Sequence, residues 1–295
     1  LTTDNYNAAA GWRLIHTEPA SGASNMALDQ ALLEAACGDR FASTLRFYRW
    51  SPPALSIGRF QPLSEIDLDA CAAANVEVVR RPTGGKSILH LDDFTYSIVL
   101  ARGFPLPDNV VDTYRLISRG ILRALRNLGL EAVLQSRENE DYRAAGGACF
   151  AAATQADLAC TGRKLCGSAQ VRRGGAVLQH GSIMLEDHSD LLFDLLRCGG
   201  EEARALGMEQ YRLRCIALNQ TGRHYSWDDL AASFVQGFHE AFGVDITRGG
   251  LCERENARWQ SLTRIYTSPR WLENAGLACL PGLSVRDTGI APASP

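Results

Sequence analysis

Apolar positions recur along this chain with two periods, and those periods lay out the elements. Ala27, Leu28, Ala31, Leu32 and Ala35 form one stripe at helical spacing, which predicts a helix over roughly 24–37, after a break at Ser21-Gly22. Ile117, Ile121, Leu125 and Leu128 keep one face of a longer helix over 110–129, closed by Gly129. Leu230, Phe234, Phe238 and Phe242 repeat every four residues along a third helix, started by Ser226 with Asp229 three positions on. Shorter helices are expected at 67–75 and 190–196, and 199–224 reads as a charged connector with one short helix. Between them lie segments rich in β-branched and aromatic residues: 12–17, 44–50, 54–58, 76–81, 86–91, 94–101 and 130–135. Pro82-Thr83-Gly84-Gly85 is a turn signal, so 76–91 reads as strand, turn and returning strand. A second such unit has strand-like runs at 163–170 and up to Ser182, with the turn Arg172-Arg173-Gly174-Gly175 between them. Strands and helices are mixed, with hairpins, rather than strictly alternating. That order predicts an α+β fold with a mixed, largely antiparallel sheet flanked by helices, and not a doubly wound one. Asn25 and Asp29, one turn apart near the start of the first helix, read on spacing alone as capping and solvated polar residues.

Composition removes several classes of function. With 46% hydrophobic and 21% charged residues over 295 positions, the chain can bury a sizeable core. We expect one catalytic domain over 1–280 and a disordered tail over 281–295. A formal net charge of -3 gives no global attraction to nucleic acid or to an anionic membrane, so neither is expected as a partner. No apolar run approaches the length of a membrane span. The first residues lack the basic and apolar regions of a signal peptide; taking position 1 as near the true start, a cytoplasmic location is expected. Nine cysteines, an odd number with no C-x-x-C pair, argue against a disulfide framework or a zinc ribbon, and no metal ligand set stands out.

The candidate chemistry concentrates between residues 146 and 184. Cys149 sits in a run of small residues, Lys164 follows fifteen positions later ahead of a strand, and a glycine-rich hairpin completes the window. Gly85-Lys86-Ser87 looks like the end of a P-loop but is not one. Arg80 stands where that motif needs its first glycine, and a strand follows where it needs a helix. Gly84 and Gly85 instead permit positive φ or a close backbone approach to a ligand.

Five segments, in order, resemble the lipoate-protein ligase and octanoyltransferase family. They are Asn25-Met26-Ala27-Leu28-Asp29, the segment WSPPALSIGRFQ from Trp50 to Gln61, RRPTGGKSILH from Arg80 to His90, GRKLCGSAQ from Gly162 to Gln170, and LQHGSI from Leu178 to Ile183. Within that family, Ala148-Cys149-Phe150 is similar to the site of the cysteine-dependent octanoyltransferases of Gram-positive type. There are departures: Lys86-Ser87 replaces the usual Arg-Ala, and Asp157 stands where a glutamate is typical. The resemblance implies the catalytic-domain fold of biotin and lipoate protein ligases. It implies transfer of an octanoyl group from acyl carrier protein to a lysine of a lipoyl-domain protein, such as the glycine cleavage H protein, through a cysteine thioester in lipoate biosynthesis. Cys149 and Lys164 are then the catalytic residues. Arg81, Gly84, Gly85, His90, Gly167, Ser168 and His180 are the expected substrate-binding residues. A nearby ammonium favours a thiolate by charge, which is the work expected of Lys164, and a neutral lysine accepts a proton from the incoming amine. Backbone near Gly84, Gly85 and Gly167 is expected to supply donors for the oxyanion. For His90 and His180 a hydrogen-bonding role is preferred to proton transfer, and Cys166 reads as a core residue. No cofactor is expected. Two alternatives remain: an amidotransferase between lipoyl-bearing proteins, and an ATP-dependent lipoate ligase in which Cys149 is incidental.

Overall fold

The computed structural model describes residues 11–38, 41–134 and 157–273. Cys149, the 136–147 loop and the 281–295 tail lie outside the described residues. The elements run β1 (Trp12–His16), α1 (Gly22–Ala36), β2 (Thr44–Tyr48), β3 (Ala54–Ile57), α2 (Leu68–Ala73), β4 (Glu77–Arg80), β5 (Ile88–His90), β6 (Asp93–Leu100), α3 (Val110–Asn127) and β7 (Ala132–Leu134). They continue with β8 (Leu158–Cys160), β9 (Arg163–Arg173), β10 (Ala176–Met184), α4 (Ser189–Asp194), α5 (Glu201–Arg214), α6 (Trp227–Phe242), β11 (Ile246–Arg248), α7 (Glu253–Tyr266) and α8 (Pro269–Glu273). The large sheet has the order β11-β1-β2-β6-β10-β9-β8-β7. Only β11, β1 and β2 run parallel to one another; every other neighbour in it is antiparallel. The expected α+β architecture is therefore the observed one.

Alternation along the strands decides which helices the sheet carries. Leu45 and Phe47 of β2 and Phe94, Tyr96 and Ile98 of β6 turn one face toward Ile117 and Ile121 of α3 and Phe234 and Phe238 of α6. Ile15, Val99 and Leu178 turn the other face toward Leu28 and Leu32 of α1. α1 is covered in turn by α7 and packs against both sheets, through β6 and β10 of the large one and β3 and β4 of the small one. It is thus buried nearly all round rather than on one stripe. Ser21 caps it, its hydroxyl accepting from Ser24 N, and both carboxylate oxygens of Glu77 accept from Gly22 N and Ala23 N. The break expected at Ser21-Gly22 is the helix start.

The hairpin of β9 and β10 forms in the expected register, Arg173 facing Ala176 across Gly174 and Gly175, whose φ values of 52° and 82° make a two-residue turn matched to the strand twist. The other expected hairpin does not form. β4 and β5 are not neighbours, because β3 lies between them, parallel to β4 and antiparallel to β5. The Pro82–Gly85 segment therefore arches over the end of β3 instead of closing a two-strand ladder. A further correction concerns 199–224, where α5 runs fourteen residues. Its face toward the small sheet carries little more than Tyr211, so the apolar period was too weak to mark it.

Candidate active site

The arch from Pro82 to Lys86 is held from both sides. On the near side the Arg81 guanidinium, itself buried, donates to Gly84 O at 3.1 and 2.7 Å, to Lys86 O at 2.8 Å and to Ser56 O at 3.0 Å. Thr83 O accepts from Arg59 N at 2.8 Å. Gln61 joins the base of the arch by donating to Ser87 Oγ at 2.8 Å and accepting from Gly58 N. Lys86 turns outward to Glu65 at 3.2 Å. Gly85 has φ +102°, a conformation that favours glycine, and Gly84 faces open space.

On the far side the arch meets the large sheet at a histidine. Thr83 Oγ1 lies 2.6 Å from His180 Nε2, and His180 Nδ1 lies 3.0 Å from Asp29 Oδ2. Asp29 is fully buried and also accepts from Arg46 at 2.7 Å, Ser97 at 2.8 Å and Tyr48 at 3.0 Å. Arg46 reaches Asn25 Oδ1 at 2.7 Å, and Asn25 donates to Ala20 O and Arg49 O. The reading of Asn25 and Asp29 as solvated caps is thus overturned: both are wholly buried and knit α1 to β2, β6 and β10. Burial pushes the Asp29 carboxyl up, but Arg46, His180 and Ser97 outweigh it and hold it below the usual carboxylate range. Burial pushes His180 below the ordinary imidazole value, against the pull of Asp29.

A second histidine repeats the arrangement from the small sheet, on β5. His90 Nδ1 lies 2.7 Å from Asp93 Oδ2, and Nε2 lies 2.9 Å from Ser56 Oγ. Asp93 Oδ2 also accepts from Thr95 at 2.7 Å and Ser182 at 2.6 Å. Trp50 stacks on the His90 ring at 3.9 Å and donates to Thr95 Oγ1. Both rings therefore have both nitrogens engaged by protein groups. Ser56, 1% exposed, has the partners of a triad serine but no access to a substrate.

Lys164 and its surroundings lie on β9. The lysine is buried, and its Nζ sits 2.9 Å from Asp157 Oδ2, also buried. Two residues on, burial pushes the Cys166 thiol up to about 12, despite Ser168, Tyr96 and Lys164 nearby, so at neutral pH it stays protonated. Ser168 shares a 2.6 Å hydrogen bond with Tyr96, and Gly167 lies opposite Ser182 on β10. Arg81, Gly84, Gly85, His90 and His180 thus converge on one junction between the two sheets. Lys164, Gly167 and Ser168 belong to the strand next to it. Sequence reasoning gave no site role to Asp29, Asp93, Thr83 or Asp157, although it named Asp29 and Asp157; Asp29 and Thr83 lie inside the quoted motifs. Among the described residues no group of acidic, histidine or cysteine side chains is arranged to hold a metal.

The architecture is shared with solved lipoate protein ligases. A bipartite ligase from Thermoplasma acidophilum, solved in a study of that ligase and its E2 lipoyl domain, superposes with a TM-score of 0.78 over 92% of this chain and 98% of that one, at 24% identity. A lipoate-protein ligase A bound with ATP gives 0.72 over 88% and 98%, also at 24%. At the level of sequence, the lipoyl protein ligase A/B catalytic domain matches residues 21–239, and the chain belongs to that family. Relatives named octanoyltransferase LipM are 42% identical in Symbiobacterium thermophilum and 39% identical in an Exiguobacterium species, each across 88% of this chain and 97% of the relative. The chain is accordingly an enzyme, an acyltransferase.

Proposed function

We propose that the chain moves an octanoyl group from the thioester of an acyl carrier protein to a lysine amine of a lipoyl-domain protein, and that the group rests in transit as a thioester on Cys149. The octanoyltransferase activity follows from relatives of that name at 39% and 42% identity over nearly their whole length, which also leaves the ATP-dependent ligase the less supported reading. The observation that carries the mechanism is the arch at Gly84 and Gly85, pinned by Arg81 and facing open space at Gly84. In the first half-reaction the Cys149 thiolate attacks the thioester carbonyl and the carrier leaves as its thiol. In the second the acceptor amine attacks the Cys149 thioester, loses a proton, and the thiol is regenerated. Thioester-to-thioester exchange is nearly isoenergetic, so no ATP is needed. This reading assigns Lys164, whose ammonium meets the Asp157 carboxylate at 2.9 Å, as the cation that favours the thiolate. The engaged nitrogens of His90 and His180 fit a hydrogen-bonding role rather than proton transfer. A cytoplasmic setting, where thiols stay reduced, fits this chemistry, and every described cysteine is a free thiol.

The test is intact-protein mass spectrometry after mixing with octanoyl carrier protein in the absence of ATP. One octanoyl group is expected on Cys149, and Cys149→Ala is expected to lose transfer while keeping the parent's circular dichroism spectrum. Full activity in that variant, or strict ATP dependence in the parent, rules the mechanism out.

A further inference from the structure

We infer that His180 and Asp29 serve the reaction as positioning residues: through the Thr83 hydroxyl they hold the arch so that the N–H groups of Gly84 and Gly85 face the reacting acyl carbonyl. This rests on the acyl-transfer reading above and adds the atoms that would hold the oxyanion and the side chains that aim them.

The argument starts from peptide geometry. In a trans peptide the C=O and N–H point in opposite directions. Thr83 O is taken by Arg59 N and Gly84 O by Arg81, so the N–H groups of Gly84 and Gly85 point away from those two partners. Among the described residues no protein acceptor meets either N–H, although both glycines are only half exposed. Two adjacent amides with open donors, carbonyls tied back, is the geometry an oxyanion site requires. The Arg81 bonds to Gly84 O also polarise that peptide and strengthen the Gly85 N–H as a donor.

Two consecutive glycines have wide conformational freedom, so the arch needs an external tie to keep those donors aimed. Arg81, Arg59 and Gln61 all bind from the small-sheet side. The tie described from the large sheet is the 2.6 Å contact of Thr83 with His180. Asp29 fixes its sense. The carboxylate takes hydrogen bonds from Arg46, Ser97 and Tyr48, and His180 Nδ1 must carry the proton to add a fourth. In the neutral ring Nε2 is then a bare acceptor, and the Thr83 hydroxyl donates to it. With the other tautomer the Asp29 contact would lose its proton and Nε2–H would compete for the Thr83 oxygen.

Thr83→Val keeps the branched shape and removes the hydroxyl; Thr83→Ser keeps the hydroxyl. In octanoyl transfer assays Thr83→Val is expected to lower kcat about tenfold or more with KM for both protein substrates near the parent's, as for a weakened oxyanion site. Its circular dichroism spectrum should match the parent's, with a thermal midpoint lowered by the unpaired His180 Nε2, and Thr83→Ser should recover most of kcat. A separate arm uses no activity: the nitrogen-15 spectrum of labelled histidines at neutral pH should give His180 as the neutral ring protonated on Nδ1. An active parent whose Thr83→Val variant keeps the parent's kcat, or a Thr83→Ser variant as slow as Thr83→Val, overturns the positioning role. So does a His180 ring protonated on Nε2. A parent that transfers no octanoyl group overturns the proposed function instead.

Discussion

A methyl group on Gly58 would fall onto the carbonyl oxygen of Gly85 and lie 2.7 Å from its carbonyl carbon. The strand end and the arch touch backbone to backbone, and nothing flexible separates them. Gly58→Ala must therefore push the arch outward, at a cost of about 1–3 kcal/mol as for other overpacked sites. Urea denaturation should record that loss, and kcat should fall further than stability alone explains, because the displaced atoms carry the Gly85 peptide. Unchanged kcat and denaturation midpoint would show that the contact does not constrain the arch. At this scale the sequence was uneven in what it disclosed. Arg81, Gly84 and His180 were legible because the motifs carrying them are long. Asp29 was misread, since the spacing of a capped, solvated helix start is the same as that of a buried one. What distinguishes them is Arg46, seventeen residues away on another strand, and a period-based reading has no access to that pairing.

Among the elements, α1 owes its seat to α7, and α7 is fastened to β1 by Arg13 and Glu255. The guanidinium and carboxylate meet at 2.8 and 2.6 Å, both buried, with Thr44 and Gly250 O taking the remaining donors. Removing the charge from one partner leaves the other buried without its counter-ion, which typically costs about 3–5 kcal/mol. Glu255→Gln should lower stability by roughly 3 kcal/mol, read as a drop in the thermal midpoint. A midpoint equal to the parent's would mean the pair is not holding α7. The β9–β10 hairpin was legible because its turn and both strands are contiguous. The small sheet was not, because the order β4-β3-β5 depends on which strand inserts between two others, and alternation within a strand says nothing about neighbours.

For the whole molecule, the most buried of the acid-sensitive groups gather around α1, while His16 on β1 and Asp112, Asp229 and Glu240 at the surface lie elsewhere. Asp29, Glu34 and His180 all have pKa values lowered on folding, and all three abut α1. Burial opposes ionisation of Asp29 and Glu34, and Arg46 for the first and Arg258 for the second overcome it; for His180 burial itself lowers the value. Each group binds fewer protons folded than unfolded, so each contributes stability above its unfolded pKa that is lost as pH falls through the folded one. The loss should begin below about 6.5 with His180 and His16, both lowered by burial, and steepen below about 4.5 as Glu34 and Asp29 follow. Urea midpoints between pH 7.5 and 3.5 (assay range set roughly by those ordinary values) should decline in those two stages. A midpoint flat down to pH 5 would remove both histidines from the account, and a first stage that vanishes in His16→Gln would assign it to His16 rather than His180.

Among the described residues, the arch at Gly84–Gly85 is held independently of the stretch that carries Cys149. Its described supports come from α1, β3, the loop after it and β10, while the thiol proposed to attack belongs to a different stretch of chain. Under the proposed mechanism, the frame that faces the acyl carbonyl and the group that activates it sit on separate stretches of chain. On that reading the frame does not depend on what activates the carbonyl, and the same architecture is found in a ligase solved with ATP bound.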